Sequence, residues 1–289
     1  MQSELPECYS PSPEVQEFFA LARERYSIKL LRDAGHERPW TDDPILQQFR
    51  FCNVHREHDR TTRWFRENIR DPLRDNPLKV VMATIGFRWF NRIETGELIK
   101  DILLEEGWNG SRVHARLENV SPLVTGAYMI KTPAKMNKLR GIINCMDGTK
   151  VVAKRLVKAA AYGATLKTGH QILTEAPYLG GFMAYEVISD LRWTCLFHDA
   201  LDIMTWCHLG PGATRGINLV TNNDYNRTSK IDQLSMLKIC HSLLRLSQHD
   251  EFWPQEWTPW EMREVEHFLC EFDKWKRGCG GQRLKRRYQ

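Results

Sequence analysis

The chain has 289 residues, of which 42% are hydrophobic and 27% are charged, so it is a globular protein and not a disordered or fibrous one. Its 41 Lys and Arg residues outnumber its 36 Asp and Glu residues by five, a surplus that permits a polyanionic partner without requiring one. No apolar run approaches the ~18 residues of a membrane-spanning helix. The first residues lack the basic and apolar regions of a signal peptide, so we expect a cytoplasmic protein.

Cysteine spacing argues against a metal-stabilised or disulfide-stabilised fold. Eight cysteines are present, but none forms a CxxC pair, and no set of Cys and His has zinc-finger spacing. We therefore expect reduced thiols and no structural metal.

The pattern of start signals and apolar residues predicts an almost wholly helical protein. Ser12 and Pro13 are typical of a helix start, and Gly35 of the end of the same helix, so the first helix is predicted over 13–34. Alternating strand patterns are scarce. Further helices are predicted over 57–70, 78–92, 97–106, 134–145, 150–161, 181–193, 197–208, 213–220 and 231–247, with a last helix that starts near Thr258 and ends before Gly278.

The segment around LGPG suggests a grip on the DNA backbone. An amphipathic helix is predicted before Leu209, and a short helix follows Gly212. Glycines in such a turn let a ligand approach the backbone, and the first N–H groups of a helix can bind a phosphate oxygen. Gly210, Gly212 and Arg215 are the predicted DNA-binding residues, although an ordinary helix–helix turn has the same pattern.

The densest polar chemistry lies at 51–64, FCNVHREHDRTTRW. If this segment is helical, Asn53, Arg56, Asp59 and Arg63 can lie along one side of the helix. Two guanidinium groups beside a carboxylate can bind a phosphorylated group and keep a base nearby. A solvated helix face with ion pairs is the alternative.

Three more segments combine charged and apolar residues in a similar way. Arg88 and Asn91 are three residues apart among aromatic residues. Asp190 lies on a largely apolar helix, four residues after another carboxylate. Glu271 and Lys274 share a helix near the C-terminus. Each could also be a helix with ordinary surface charges.

Taken together and in this order, these segments resemble the α-glutamyl/putrescinyl thymine pyrophosphorylase group of phage DNA-hypermodification proteins, also called amino acid:DNA transferases. The resemblance extends over roughly 45–277. The matching motifs are FCNVHREHDRTTRW at 51–64, FRWFN at 87–91, FMAYEVISDL at 182–191, LGPGATRGIN at 209–218 and EHFLCEFDKWKR at 266–277.

The resemblance implies an all-α fold like that of the helix-hairpin-helix DNA glycosylases, with two helical lobes and the active site between them. On this reading 1–44 is a helical extension, 45–277 is the catalytic domain and 278–289 is a flexible basic tail. The implied location is the cytoplasm of an infected bacterium.

The implied reaction replaces pyrophosphate on 5-(pyrophosphoryloxymethyl)uracil in double-stranded DNA with an amine, either an amino acid or a polyamine. Departing negative charge requires cations, and an attacking amine must lose a proton to a base. No residue set calls for a metal, and pyrophosphate release is compatible with Mg²⁺. We assign substrate binding to Arg56, Arg63, Arg88, Asn53, Asn91 and Lys274, and the base, in order of preference, to Asp190, Asp59 or Glu271.

Two alternatives remain open. A monofunctional DNA glycosylase would use Asp190 or Asp224 to activate water and would release a free base. A non-catalytic helical DNA-binding module would carry the same polar motifs as surface features. The products formed from modified DNA separate the three functions.

Overall fold

The computed structural model describes residues 11–284, which form helices and no β-strand, as the sequence predicts. No helix within these residues is long and apolar enough to cross a membrane. The α-helices are α1 (Pro13–Asp33), α2 (Pro44–Gln48), α3 (Arg60–Phe65), α4 (Pro77–Phe90), α5 (Ile93–Glu106), α6 (Gly110–Leu117), α7 (Lys138–Ala161), α8 (Leu166–Leu173), α9 (Gly181–Leu191), α10 (Pro211–Thr221), α11 (Lys230–Leu246) and α12 (Met262–Cys279).

The chain divides into two compact units. Unit 1 comprises the chain up to Arg56 and from Leu209 onward, and unit 2 comprises Glu57–His208. The boundaries predicted at 44/45 and 277/278, and the site predicted between two lobes, stay predictions. Part of the predicted basic tail lies outside the described residues.

In unit 1, α1 contributes to the aromatic core. The side chain of Ser12 accepts a hydrogen bond from the backbone N–H of Val15, so α1 starts where the capping signal predicts. Phe18 and Phe19 are fully buried. Both rings pack against Trp260, at centroid distances of 6.0 and 5.6 Å. This helix is therefore part of the core of unit 1.

Helices α10 and α12 pack unusually closely because α10 carries two glycines on the facing side. A Cβ on Gly216 would lie 2.8 Å from the carbonyl carbon of Leu269, and a Cβ on Gly212 would lie 2.9 Å from the sulfur of Cys270. Real Cβ atoms do not approach other atoms so closely, so Gly216, which faces backbone, requires glycine, whereas a side chain on Gly212 would have to displace the sulfur of Cys270.

In unit 2, α4 is the central helix, and every residue from Val80 to Phe90 is buried. It packs against α5, α7 and α9. The two helices predicted over 134–145 and 150–161 are one helix, α7, so the predicted break is wrong. Gly148 lies within this helix, and its missing Cβ makes room for Pro177, 2.9 Å from where that atom would be.

The helix predicted over 197–208 is also wrong, since this part of the chain forms successive turns. The carboxylate of Asp202 accepts hydrogen bonds from the N–H groups of Leu166 and Lys167, at 2.7 and 2.9 Å, and so fixes these turns to the start of α8. Leu201 is 89% exposed, so the apolar residues here do not form one buried face. The predicted helix before Leu209 is therefore absent.

Candidate functional site

The segment 51–64 is not one helix. Residues 51–54 have no helical structure, Arg56–His58 form a single 3₁₀ turn, and α3 begins only at Arg60. Asp59 precedes α3 with extended backbone angles, φ −69° and ψ 136°, and so interrupts the helix. The prediction that Asn53, Arg56, Asp59 and Arg63 share one side of a helix is therefore wrong.

In unit 1, α1 fixes the first part of this segment through a buried arginine. The guanidinium of Arg25 donates hydrogen bonds to the carbonyl oxygen of Phe51 at 3.1 Å and to the side-chain oxygen of Asn53 at 2.9 Å. Arg25 and Asn53 are each only 3% exposed. Asn53, predicted to bind substrate, thus holds the segment against α1.

Helix α12 fixes the same stretch of backbone from a second helix of unit 1. The Glu271 carboxylate accepts a hydrogen bond from the backbone N–H of Cys52 at 3.0 Å. The Lys274 ammonium donates to the carbonyl oxygen of Arg50 at 2.6 Å and lies 4.2 Å from the ring centroid of Phe51. Glu271 and Lys274 therefore hold the backbone that leads to Arg56.

A positive electrostatic environment surrounds His267 in unit 1. Burial lowers the pKa of His267 well below its ordinary value, and the positive charges of Arg56, Arg263 and Lys274 lower it further. Its ring nitrogen Nε2 is buried and has no hydrogen-bond partner among residues 11–284. A buried imidazole that stays neutral adds no charge of its own to the effect of these three cations.

The part of the 51–64 motif that belongs to unit 2 is anchored by an ion pair between Arg70 and Glu57. Arg70 donates hydrogen bonds to both carboxylate oxygens of Glu57, at 3.1 and 2.8 Å. Burial opposes the charge of Arg70, but these bonds and the charge of Glu57 outweigh burial and raise its pKa. Arg70 ends the π-helical turn Arg66–Arg70 that follows α3.

Arg88 and Asp190 form the most buried ion pair of unit 2. Nε and one terminal nitrogen of Arg88 each lie 2.6 Å from a different oxygen of Asp190. The same guanidinium donates to Asn91 at 2.7 Å and to the hydroxyl of Thr62 at 3.3 Å. Both charged side chains are 1% exposed. This arrangement favours a positioning role for Asp190 over that of a base facing substrate.

The structure therefore separates anchoring residues from residues presented to solvent. Arg63 is exposed and forms no ion pair with any residue the structure describes, and Arg56 and Asp59 are partly exposed. The anchoring residues that sequence analysis missed are Arg25, Glu57, Thr62 and Arg70. Glu57 and Thr62 belong to the 51–64 motif, but nothing in the sequence distinguishes them from its other polar residues.

Two of the predicted DNA-binding residues, Gly212 and Arg215, contact α12. Arg215 donates hydrogen bonds to both oxygens of Asp273, at 3.1 and 2.9 Å, and these bonds raise its pKa. Gly212 faces Cys270, as described above. Gly210 differs, because a Cβ there would find its nearest neighbour, a Glu266 oxygen, 3.9 Å away.

A pair of helices joined by a glycine-containing turn does occur in unit 2, between α8 and α9. Gly180 is the N-cap of α9, and no side chain caps this helix. A Cβ on Gly180 would have no atom within 4 Å, although His208 lies close to the next residue, Gly181. The first N–H groups of a helix can donate hydrogen bonds to a phosphate oxygen.

Comparison with known proteins places the chain in a family. A family model described as "5-hmdU DNA kinase, helical domain" matches residues 12–284. The chain belongs to this family. The 5-hmdU DNA kinase of Bacillus phage SP10 is 26% identical to it over 265 residues, which cover 83% of this chain and 41% of the phage protein. No solved structure matches the chain.

Membership of the 5-hmdU DNA kinase helical-domain family agrees in part with the resemblance found in the sequence. Both concern enzymes of phage DNA hypermodification, and the relative's name refers to 5-hmdU in DNA. The relative is named a kinase, whereas the resemblance predicts transfer of an amine. The chain spans about two fifths of the relative's length. It contains no GxxxxGK[ST] sequence, the motif that cradles ATP phosphates in P-loop kinases.

Proposed function

We propose that this chain acts on double-stranded DNA carrying pyrophosphorylated 5-hydroxymethyluracil and replaces the pyrophosphate with an amine, in the cytoplasm of an infected bacterium. The observation that carries this proposal is the cationic character of the 51–64 motif, which contains Arg56 and Arg63 and where the ammonium of Lys274 lies 4.2 Å from the ring centroid of Phe51. Such an environment suits a leaving group that departs with negative charge. Family membership supports the class of DNA substrate.

The proposed reaction is a substitution at the methylene carbon attached to C5 of the base. The carbon–oxygen bond breaks and pyrophosphate leaves with the electron pair, while the amine nitrogen donates its lone pair to form the carbon–nitrogen bond. The nitrogen then loses one proton to a base. The proposed enzyme must therefore stabilise a departing anion and accept a proton.

Among the predicted residues, we assign these two tasks to those presented by the motif. Arg63 stabilises pyrophosphate, because its side chain is exposed and forms no ion pair with any residue that the structure describes. Arg56 contributes as well, because its side chain is partly exposed in the same motif. Asp59 accepts the proton, because Asp190 has both oxygens bonded to Arg88 at zero exposure. Asp190 acts on the site by fixing Arg88.

The turn between α8 and α9 is the proposed contact with the DNA backbone. Gly180→Glu tests it cleanly, because the new side chain enters open space and a carboxylate stabilises a helix N-terminus while repelling phosphate. DNA affinity should fall by about 10-fold or more with an unchanged thermal melt, since charged phosphate contacts are typically worth that much. Gly126→Glu, also in open space, is the matched control. Equal affinities of the two variants would remove this turn from the proposal.

Digesting treated DNA to nucleosides for mass spectrometry tests the reaction itself. Pyrophosphorylated DNA with glycine, glutamate or putrescine should give an amine adduct, and parallel samples with Mg²⁺ and with EDTA decide whether a metal is required. A free base would instead indicate a glycosylase. DNA that binds and stays unchanged would indicate a non-catalytic module. Phosphorylation of hydroxymethyluracil DNA by ATP would indicate a kinase, the activity in the relative's name.

A further inference from the structure

Positive charge is concentrated in one stretch of unit 2, residues 131–167. This stretch contains nine Lys and Arg residues and a single acidic residue, Asp147, which gives it a net charge of +8. The whole chain has a net charge of +5, so its other residues together carry −3. The positive surplus of the chain is therefore not spread over its surface but comes from this stretch.

Six of the nine cations lie in α7, and four of these share the exposed side of the helix. These four, Arg140, Lys150, Lys154 and Lys158, form the basic face of α7. The first and the last of them are separated by about five helical turns, or ~27 Å along the axis. The three lysines follow one another at intervals of four residues, so neighbouring side chains lie about 6 Å apart along the axis. The opposite side of α7 is buried and packs against α4 and α8.

No carboxylate among the described residues pairs with the basic face. None of its four side chains forms a hydrogen bond or an ion pair with any residue between 11 and 284. Asp147 lies on the same side of the helix but forms no ion pair with them. Arginines elsewhere in unit 2 behave differently, since Arg112 pairs with both Glu105 and Glu106. Like charges four residues apart on a helix repel one another, so an anionic partner would relieve a repulsion that the folded chain contains.

The phosphate backbone of duplex DNA fits the basic face in charge and in length. Duplex DNA carries one negative charge per about 1.7 Å of its axis, so cations spread over ~27 Å can meet phosphates along their whole row. Lysine side chains bind phosphates as flexible point charges and do not read base edges. Membership of the 5-hmdU DNA kinase helical-domain family makes DNA the polyanion to expect.

A membrane surface fits the basic face less well. A helix that binds at a lipid surface inserts its apolar side below the headgroups. The apolar side of α7, which includes Ile142, Val152 and Leu156, is buried within unit 2 and is not available for insertion. The charge of the basic face therefore favours a partner that is bound through phosphates alone.

We propose that the basic face of α7 is a docking surface for unmodified duplex DNA, which it binds through phosphates without reading base sequence. The inference rests on the proposed function in taking duplex DNA as the partner. It adds a surface outside the motifs of the candidate site, which holds the protein on DNA between modified bases. It also differs from the turn at Gly180, because it depends on side-chain charge and not on a helix N-terminus.

Fluorescence anisotropy with a labelled, unmodified duplex of about 30 base pairs measures the affinity of the full chain at several salt concentrations. The triple variant Lys150→Gln, Lys154→Gln and Lys158→Gln should bind about 10-fold or more weakly at low salt. The slope of log affinity against log salt should become less steep by about 2–3, since each phosphate contact contributes about 0.9. Two duplexes of unrelated sequence should lose affinity equally. The thermal melt should match that of the parent, because the positions are exposed and glutamine has nearly the helix propensity of lysine.

Two controls separate the basic face from the net charge of the protein. The triple variant Arg227→Gln, Lys230→Gln and Lys238→Gln removes the same charge from exposed positions of unit 1. Its salt slope should stay within about 0.5 of that of the parent, because it removes no phosphate contact. Asp147→Asn should instead raise the affinity by about 2-fold or more, because it removes a carboxylate that repels phosphate.

Three results would overturn the inference. These are an equal salt slope in the parent and the α7 triple variant, an equal loss of slope in the two triple variants, or preferential binding of anionic lipid vesicles or single-stranded RNA over duplex DNA. Failure of the proposed function is distinguishable. If amine transfer is never observed but salt-dependent binding requires the three lysines, the surface stands without the reaction. If transfer occurs and the α7 triple variant keeps the parent's affinity and KM for DNA, the inference is wrong and the reaction stands.

Discussion

Replacing Asp190 with Asn should destabilise the protein strongly, because it leaves the charge of Arg88 buried without its counter-charge. Two hydrogen bonds of 2.6 Å join these side chains, and each is 1% exposed, so solvent does not screen the pair. Breaking a buried ion pair by removing one partner typically costs about 3–5 kcal/mol. We expect the free energy of unfolding to fall by about this amount in Asp190→Asn.

Replacing both partners should cost less than the two single changes together. In the double variant Arg88→Met with Asp190→Asn, no charge is left in the interior, so neither side chain is a buried charge without its counter-charge. The double variant should therefore recover part of the stability lost in Asp190→Asn. The single variant Arg88→Met completes the double-mutant cycle, which isolates the interaction free energy between Arg88 and Asp190.

Urea unfolding followed by circular dichroism measures all four proteins at one pH. Glu175→Gln is a matched control, because Glu175 also pairs with an arginine, Arg155, but both side chains are about half exposed. Glu175→Gln should lower the free energy of unfolding by at most about 1 kcal/mol. If Asp190→Asn unfolds at the same urea concentration as the parent and still abolishes amine transfer, Asp190 is a base at the reaction centre and the positioning role is refuted.

Three further predictions concern stability and catalysis. Burial raises the pKa of Glu264 from 4.5 to about 7. The folded protein therefore binds a proton more tightly than the unfolded chain, so the contribution of Glu264 to the free energy of unfolding is complete below pH 4.5 and is lost as the pH rises through 7. Urea unfolding at pH 5 and pH 8 should differ by about 3 kcal/mol more in the parent than in Glu264→Gln, and an equal difference would contradict the assignment. Gly216→Ala should lower the free energy of unfolding by about 1–3 kcal/mol through overpacking. Gly210→Ala, in open space, should change it by less than about 1 kcal/mol, and equal thermal melts of the two variants would contradict the packing argument. Arg63→Ala should slow amine transfer by about 10²-fold with an unchanged thermal melt. Arg66→Ala, which removes a surface partner of Glu67, should leave the rate of transfer unchanged, and equal rates in the two variants would exclude Arg63 from pyrophosphate stabilisation.

Local sequence signals predict the helices well where the ends are capped by nearby residues. Ser12 and Pro13 start α1, and the run of apolar residues in α4 predicts a buried helix. Turns stabilised from a distance are not predictable in this way. The turns at 197–208 depend on Asp202, which binds the backbone of Leu166 and Lys167, more than thirty residues away.

In the candidate site, too, local sequence identifies some residues, whereas the roles of others depend on distant contacts. Arg88 and Asn91 belong to the motif at 87–91, and Asp190 belongs to the motif at 182–191. The structure brings these three residues together. Sequence spacing does not reveal which charged residues are anchors, because Arg25 and Glu271 become anchors only through contacts with a distant stretch of backbone. The contact of Gly212 with Cys270, which approaches from another helix, is likewise not visible in the sequence.

The most direct test of the account is the nucleoside composition of pyrophosphorylated DNA after incubation with the protein and an amine. The account predicts a new nucleoside in which the amine nitrogen is bonded to the methylene carbon at C5, together with free pyrophosphate. Isotope-labelled glycine or glutamate should carry its label into that nucleoside. Release of a free base, or recovery of the pyrophosphorylated nucleoside unchanged under conditions where the DNA is bound, would contradict it.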